Sequence, residues 1–169
     1  CTVFEMAWNL VGLEQFLTDM AMQKDYIEPL LDEVTDYSIG IGLELIRLGA
    51  DIMLTGDDIG MDPGPMMSPA MWRKYLKPCY AQIYTPFRDA GYYVYMHTDG
   101  HILEIIPDLV DCGVNVVKPQ VRANGLGPLA EVCKGVVCVD LDLDRQLFPF
   151  CSPQDIDDHV REAVETLGS

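Results

Sequence analysis

Side chains that could carry out acid–base chemistry, bind a metal or anchor a substrate are concentrated in four short polar stretches. Each stretch directly follows a short apolar run. The stretches contribute Asp57 and Asp58; His97, Thr98, Asp99 and His101; Lys118 and Gln120; and Asp140, Asp142 and Asp144. Carboxylates and imidazoles at such positions transfer protons or bind metals, and lysine and glutamine side chains bind polar groups of a substrate.

The Asp57-Asp58 pair forms the first stretch. Neighbouring side chains of an extended segment point to opposite sides, so one of the two carboxylates is expected to face a site. That carboxylate would anchor a substrate or act as a general acid or base. The alternative is a pair of loop acids that cap the chain by accepting hydrogen bonds from backbone amides.

His97 ends an aromatic-rich run, YYVYMH, at a position where a core residue would be apolar. Its imidazole could donate to a substrate oxygen, transfer a proton or hold a metal, or simply tie two loops together. Asp99 lies on the same side by the two-residue period and would orient His97 or bind the same metal. A zinc enzyme needs three protein ligands, and Cys138 is either a further ligand or a buried apolar thiol. His101 is expected to cap a helix or lie at the surface.

Lys118 and Gln120 place a cation and an amide in the third stretch. Lys118 would meet a carboxylate of the substrate or form an ion pair with a nearby acid, and the acidic composition favours the ion pair. The three aspartates of the fourth stretch alternate, so they share one side if the segment is extended. Arg145 is expected to neutralise one of them, which leaves one or two to line a site.

The elements that position these residues follow from the spacing of apolar residues. The pattern predicts helices over 4–22 and 26–48, the second broken or kinked at Gly40 and Gly42. Each later apolar run reads as a strand buried on both faces, and each polar stretch leads into a helix. The predicted strands are 50–55, 92–96, 114–117 and 136–139, and the helices that follow them are 68–90, 102–111, 126–133 and 152–167.

Four consecutive βα units imply a parallel sheet. Two architectures fit this pattern: a doubly wound open sheet, or part of a (β/α)₈ barrel. The glycine-rich phosphate fingerprint of dinucleotide-binding sheets is missing after every predicted strand. In both architectures ligands bind at the carboxyl ends of the strands, so the four polar stretches are expected to meet at one site.

The composition excludes several classes of partner. The chain carries 27 acidic and 11 basic residues, a net charge of −16, which argues against nucleic-acid binding. No apolar run approaches the roughly 18 residues of a membrane span, so no membrane association is expected. The six cysteines include no C-x-x-C pair and no signal peptide precedes them, which indicates free, mostly buried thiols in a cytoplasmic protein.

Five longer stretches, taken in order, resemble the uroporphyrinogen decarboxylase family in its wide sense, which includes corrinoid-linked methyltransferases. They are FEMAWNLVGLEQFLTDM (4–20), GADIMLTGDDIG (49–60), GPMMSPAMWRKYLKPCYAQI (64–83), YMHTDGHILEIIPDLVDCGVNVVKPQ (95–120) and SPQDIDDHVREAVETLG (152–168). The resemblance implies an α/β fold of the (β/α)₈ TIM-barrel family, with residues 1–169 as one segment that forms roughly the later half of the barrel.

The same resemblance implies that the other strands come from the remainder of the barrel or from a homo-oligomer partner. The isolated segment would have two unpaired strand edges and is not expected to be a stable, active monomer.

The activity implied by the resemblance is that of a carboxy-lyase acting on a tetrapyrrole-related or small anionic substrate without a cofactor. The expected catalytic residues are Asp58, His97 and Asp99, and the expected substrate-binding residues are Asp57, Lys118, Gln120 and Asp140. The family's decarboxylase has a serine at the position of Asp58.

The alternative is methyl transfer to a thiol or a corrinoid, with zinc held partly by His97 and Asp99 and with a corrinoid partner. The methyltransferases of the family bind zinc through His-x-Cys at this strand, and the chain has Asp99 in place of that cysteine. The third interpretation is a non-catalytic binding module or a fragment of a longer protein.

Overall fold

Short strands alternate with helices along residues 2–168, the part of the chain that the computed structural model describes. The helices are α1 (Phe4–Val11), α2 (Leu13–Ala21), α3 (Ile27–Arg47), α4 (Pro69–Asp89), α5 (Ile106–Cys112), α6 (Val121–Asn124), α7 (Leu126–Cys133) and α8 (Pro153–Leu167). The strands are β1 (Ile52–Gly56), β2 (Tyr93–His97), β3 (Val116–Lys118) and β4 (Cys138–Val139). Within these residues, no helix combines the length and the apolar character needed to cross a bilayer.

The four strands form one parallel sheet in the order β1-β2-β3-β4. Neighbouring strands are joined by helical connections, as parallel pairing requires. The register pairs Gly56 with His97 and His97 with Lys118, so the carboxyl ends of the first three strands are level. This arrangement confirms the predicted α/β fold with a parallel sheet and brings the polar stretches to one edge.

One face of the sheet is buried against helices, and the other face is open. Met53, Val94 and Met96 are buried, whereas the alternate residues Leu54 and Tyr93 are each 65% exposed. The prediction of strands buried on both faces is therefore wrong for this chain. Four strands do not close a barrel, so the face that would line a barrel interior remains uncovered.

The helices differ from their predicted bounds at glycines and in short loops. The first predicted helix is divided at Gly12, whose φ of 91° ends α1 and precedes α2. In contrast, α3 continues without a break through Gly40 and Gly42. The short helix α6 and a 3-10 helix over Phe148–Phe150 were not predicted, because neither segment is long enough to show a helical period.

Gly42 permits close packing of α3 against α4 and β1. A Cβ atom at this position would lie 2.2 Å from Cζ of Phe87 and 2.9 Å from Cε of Met53. Both neighbours are buried, so neither moves aside without disturbing the core. A Cβ atom at Gly40, on the exposed side of the same helix, would meet nothing within 4 Å.

We expect Gly42→Ala to destabilise the protein by about 1–3 kcal/mol, because overpacking outweighs the gain in helix propensity. Gly40→Ala is the matched control and is expected to stabilise by about 0.5–1 kcal/mol, the usual difference between glycine and alanine inside a helix. Urea unfolding of the two variants measures both effects. Equal stabilisation by the two substitutions would contradict the packing role of Gly42.

The cysteines within the described residues are free thiols. Cys79, Cys112 and Cys133 are buried, and burial raises the pKa of both Cys112 and Cys133 to about 11. Cys138 is exposed, so its interpretation as a buried thiol is wrong. The reason is its place in the register: Cys138 is aligned with Val116, Tyr95 and Leu54, on the open face of the sheet. Cys1 lies outside the described residues.

Candidate functional site

The carboxyl ends of β1 and β2 bring Asp58, His97 and Asp99 together. One ligand atom from each of the three side chains lies within 4.8 Å of those from the other two, and all three residues are half-buried. Asp58 follows β1, His97 is the last residue of β2, and Asp99 lies two residues beyond it. The three residues that the sequence predicted as catalytic are therefore neighbours, and we call them the carboxylate–histidine cluster.

The imidazole of His97 is held in one orientation. Its Nδ1 lies 3.2 Å from the backbone oxygen of Lys118, and because a carbonyl oxygen only accepts, Nδ1 carries the proton. In the neutral ring Nε2 is then unprotonated, and it lies 3.2 Å from Oδ1 of Asp99. Two acceptor atoms thus face each other, so a proton or a metal cation is needed between them.

Oδ1 of Asp99 has almost no exposed surface, and among residues 2–168 it has no hydrogen-bond partner. Nη2 of Arg145 approaches it at 3.7 Å and lies 3.2 Å from Oδ2 of Asp142. Arg145 was predicted to neutralise an aspartate of its own stretch, and the ion pair with Asp142 confirms this. The Arg145 side chain is 59% exposed, so it balances the charge of Asp99 only weakly.

Asp58 is held by one loop and lies beside the first helix. Its Oδ1 accepts a hydrogen bond from the backbone N–H of Asp99 at 3.0 Å. Burial raises the pKa of Glu5, and the negative charges of Asp57 and Asp58 raise it further. A third carboxyl group therefore approaches the cluster from α1. No sequence pattern indicated this residue, because it belongs to a helix far from the strand ends along the chain.

Asp57 is fully buried and holds the first turn of α1. Its two oxygens accept hydrogen bonds from the backbone N–H groups of residues 2–5 at 2.6–3.0 Å, and Oδ2 also accepts from the hydroxyl of Tyr80 at 2.6 Å. Burial raises the pKa of Tyr80 well above its usual value, so this hydroxyl remains a donor. The carboxylate of Asp57 thus anchors the first turn of α1, and its contact with a substrate stays a prediction.

Lys118 and Gln120 lie at the end of β3. Lys118 is half-buried, and it forms no ion pair with any residue of the described chain, so the ion pair favoured by the composition is not found. Its ammonium group is available to an anion. Oε1 of Gln120 accepts a hydrogen bond from the backbone N–H of Gly100 at 2.9 Å, which directs this side chain to the loop that follows β2.

The alternating aspartates after β4 each have a donor. The exposed Asp140 accepts a hydrogen bond from the hydroxyl of Tyr95, and burial together with this hydrogen bond raises the pKa of Tyr95. Asp144 pairs with Nη1 of Arg122 at 3.0 Å, and Asp142 pairs with Arg145 as described above. Among these aspartates, Asp140 is the one predicted to bind substrate, and its partner Tyr95 was not anticipated.

Two loops cross in backbone contact beside the cluster. A Cβ atom at Gly60 would lie 2.6 Å from the backbone oxygen of Asp99, and a Cβ atom at Gly100 would lie 2.2 Å from the carbonyl carbon of Gly60. The buried hydroxyl of Thr98 accepts a hydrogen bond from the backbone N–H of Ile59, in the loop after β1, at 3.0 Å. This crossing fixes the distance between Asp58 and Asp99, because each belongs to one of the two loops.

His101 belongs to the same crossing. Its backbone N–H donates to the carbonyl of Met61 at 2.9 Å, and the residue is half-buried. It therefore ties the two loops together, a role that was considered for His97 and not for His101.

The geometry of the carboxylate–histidine cluster suits a divalent cation. Zinc binds nitrogen and oxygen ligands at about 2.0–2.2 Å, so two ligands of a tetrahedral ion lie about 3.3–3.6 Å apart. Nε2 of His97 and Oδ1 of Asp99 are 3.2 Å apart. Metal-binding histidines commonly donate their other N–H to a backbone carbonyl, as His97 does to Lys118. The spacing of His97 and Asp99 is thus close to that of two ligands of one ion, and a carboxylate oxygen of Asp58 lies within 4.8 Å of both ligand atoms.

Comparisons with known proteins agree with the fold. The family model described as uroporphyrinogen decarboxylase (URO-D) matches residues 3–169. Among solved structures, a methyltransferase from Methanosarcina mazei matches with a TM-score of 0.78 and 22% identity, over 95% of this chain and 46% of that one. The 7,8-dihydropteroate synthase from Vibrio fischeri ES114 matches with a TM-score of 0.52 and 14% identity, over 80% and 50%. No curated protein matches the chain.

The chain spans about half the length of these solved structures. At such identities the likeness shows the fold alone, and it is that of a TIM barrel. The predicted fold class is thereby confirmed, and the four parallel strands correspond to half of the eight in a complete barrel.

Proposed function

The chain belongs to the uroporphyrinogen decarboxylase family, and within it we propose a metal-dependent methyltransferase. The carboxylate–histidine cluster would hold a divalent cation, and the enzyme would transfer a methyl group to a thiol. The observation that carries this proposal is the pair of facing acceptors, Nε2 of His97 and Oδ1 of Asp99, at 3.2 Å. The likeness to the Methanosarcina methyltransferase supports it at the level of the fold. A corrinoid partner is proposed as the methyl donor.

Each residue of the carboxylate–histidine cluster would have its own role in binding the cation. His97 presents Nε2 because its Nδ1 is fixed by the backbone of Lys118. Asp58 and Asp99 supply the negative charge that offsets a dication. A cation bound there would lower the pKa of a coordinated thiol and so provide a thiolate near neutral pH. Arg145 would be repelled from Asp99 and retain its contact with Asp142.

The ligand types bear on which metal the site prefers. Asp99 offers a carboxylate oxygen at the position where the family's methyltransferases have a cysteine. Oxygen ligands are harder than thiolates and discriminate less strongly for zinc. We therefore propose a site that accepts zinc, manganese or cobalt ions with more similar affinities than a thiolate site does.

A carboxy-lyase that acts on a small anionic or tetrapyrrole-related substrate is the second candidate, and the state of Lys118 supports it. This lysine is half-buried and has no ion-pair partner in residues 2–168, so a substrate carboxylate would complete its pairing. His97 or Asp58 would then transfer the proton that replaces the lost carboxyl group. Gln120 and Asp140 would contact the substrate, and no cofactor would be required.

Either activity needs more of the barrel than this chain contains, since the chain spans about half of the structures that it matches. We propose that the remaining strands, from the same protein or a second copy, cover the open face of the sheet. They would also supply the other site residues.

Metal binding tests the first candidate. We expect the intact protein to bind zinc, and His97→Ala and Asp99→Asn to weaken this binding by at least about 100-fold, because each removes one of the three ligands that the cluster supplies. Isothermal titration with zinc after removal of metal by a chelator measures the affinities. His159→Ala is the matched control, because this histidine lies on α8 outside the cluster; its affinity for zinc is expected to equal that of the unchanged protein.

Equal zinc affinity in the unchanged protein and in His97→Ala would contradict the first candidate. If Lys118→Met abolished binding of a carboxylate substrate while zinc had no effect on turnover, the second candidate would replace it.

A further inference from the structure

We propose that Asn124, acting with Gln120, is a positioning residue that holds Asp99 against His97 in the metal-binding geometry. This inference rests on the proposed cation site. Asn124 lies at the end of α6, and the cluster consists of Asp58, His97 and Asp99, so neither Asn124 nor Gln120 belongs to it. Both act on the backbone of Gly100, the residue that follows Asp99.

The two polar backbone groups of Gly100 are each held by a side chain. The N–H donates to Oε1 of Gln120 at 2.9 Å, and the carbonyl accepts from Nδ2 of Asn124 at 2.9 Å. The two side chains lie one helical turn apart, and Nδ2 of Asn124 also donates to the backbone oxygen of Gln120 at 2.8 Å. Oδ1 of Asn124 accepts from the N–H of Ile102 at 2.9 Å.

The side-chain amide of Asn124 is thus satisfied on both its oxygen and its nitrogen, and the residue is 5% exposed. An asparagine so placed is fixed in one rotamer and transmits that order to the backbone it contacts. The backbone groups of Gly100, which follows Asp99, are held by the side chains of Gln120 and Asn124. The backbone N–H of Asp99 itself donates to Oδ1 of Asp58 at 3.0 Å. The backbone that carries the carboxylate of Asp99 is therefore fixed both before and after this residue.

The affinity of a metal site is sensitive to such support, because the ligand atoms must already lie at bonding distance from the ion. Outer partners that orient ligands typically change metal affinity by about 10- to 100-fold when they are removed. In contrast, a side chain that merely stabilised α6 would alter unfolding without altering the coordination of a bound ion.

The experiment compares Asn124→Ala and Gln120→Met with Asn115→Ala in the intact protein. Asn115 is the control, because its Oδ1 accepts a backbone N–H from Val94 at the opposite end of the sheet. We expect both site variants to weaken zinc binding by about 10- to 100-fold and to change the visible absorption of bound cobalt, which reports ligand geometry. Gln120→Glu keeps the acceptor for Gly100 and is expected to preserve the cobalt spectrum, whereas Gln120→Met is not.

Unchanged zinc affinity and an unchanged cobalt spectrum in Asn124→Ala would overturn the positioning role. If Asn124→Ala did not fold, the comparison of Gln120→Met with Gln120→Glu would decide, and identical spectra would overturn it. Failure of the proposed cation site looks different: the unchanged protein would then bind neither zinc nor cobalt.

Discussion

Asp57→Asn is expected to lower the free energy of unfolding by about 3–5 kcal/mol, the cost of removing one partner from a buried charged network. The carboxylate accepts five hydrogen bonds, four from the backbone of residues 2–5 and one from Tyr80. Asparagine keeps the shape, but its NH₂ group would face donors in place of an acceptor. The negative charge that favours the N-terminus of α1 would also be lost.

Urea unfolding measures this effect, with two substitutions for comparison. Tyr80→Phe removes one of the five hydrogen bonds and is expected to cost about 1.5–3 kcal/mol, as for a hydrogen bond to a charged group. Asp51→Asn changes an exposed aspartate just before β1 and is expected to stay within about 0.5 kcal/mol. If Asp57→Asn lowered the free energy of unfolding by less than Tyr80→Phe does, Asp57 would not be the centre of this network.

Gly100→Ala is expected to destabilise the protein by about 2–5 kcal/mol and to abolish the metal binding that we propose for the cluster. Two costs add at this position. Its φ of 78° lies in the left-handed region, and a Cβ atom would lie 2.2 Å from the carbonyl carbon of Gly60. That neighbour is backbone and does not move aside, so the crossing loops would separate and carry Asp58 away from Asp99.

Two other glycines separate these costs. Gly91 has a φ of 84° and open space around its Cα, so Gly91→Ala measures the conformational cost alone, about 1–2 kcal/mol. Gly64 lies in the loop after β1, has neither a positive φ nor a close neighbour, and is expected to tolerate alanine. Unfolding and zinc titration of the three variants give the comparison. A Gly100→Ala protein that matched Gly91→Ala in both measurements would contradict the importance of the crossing.

Much of the fold was predictable because glycines and apolar runs mark where its strands begin and end. The four predicted strands correspond to β1 to β4 within two residues at each end, and the long helices α4 and α8 were placed closely. The continuous helix over residues 4–22 was wrong because apolar spacing does not reveal the φ of 91° at Gly12. The open face of the sheet was also missed, since the strands are as apolar as those of a complete barrel.

The candidate site was predictable where one strand end supplied the residues. His97 and Asp99 share a side by their two-residue spacing, and Asp58 joins them because β1 and β2 are neighbours in the sheet. Glu5 and Asn124 were not predictable, because each reaches the site from a helix through contacts that depend on tertiary packing.

The different roles of Asp57, which anchors α1, and Asp58, which belongs to the carboxylate–histidine cluster, were predictable only in part. Alternation along an extended segment indicates that the two carboxylates face opposite sides. It does not indicate which of them meets the amino end of a helix. That assignment depends on the position of residues 2–5 relative to β1, which no local pattern records.

The network around Asp57 also constrains the order in which this chain assembles. Its backbone hydrogen bonds join residues separated by 52–55 positions in the sequence, so the acceptor for the first turn of α1 does not exist locally. Closing a loop of that length costs chain entropy before any contact compensates for it. The first helix therefore acquires its N-terminal anchor only once β1 is in place.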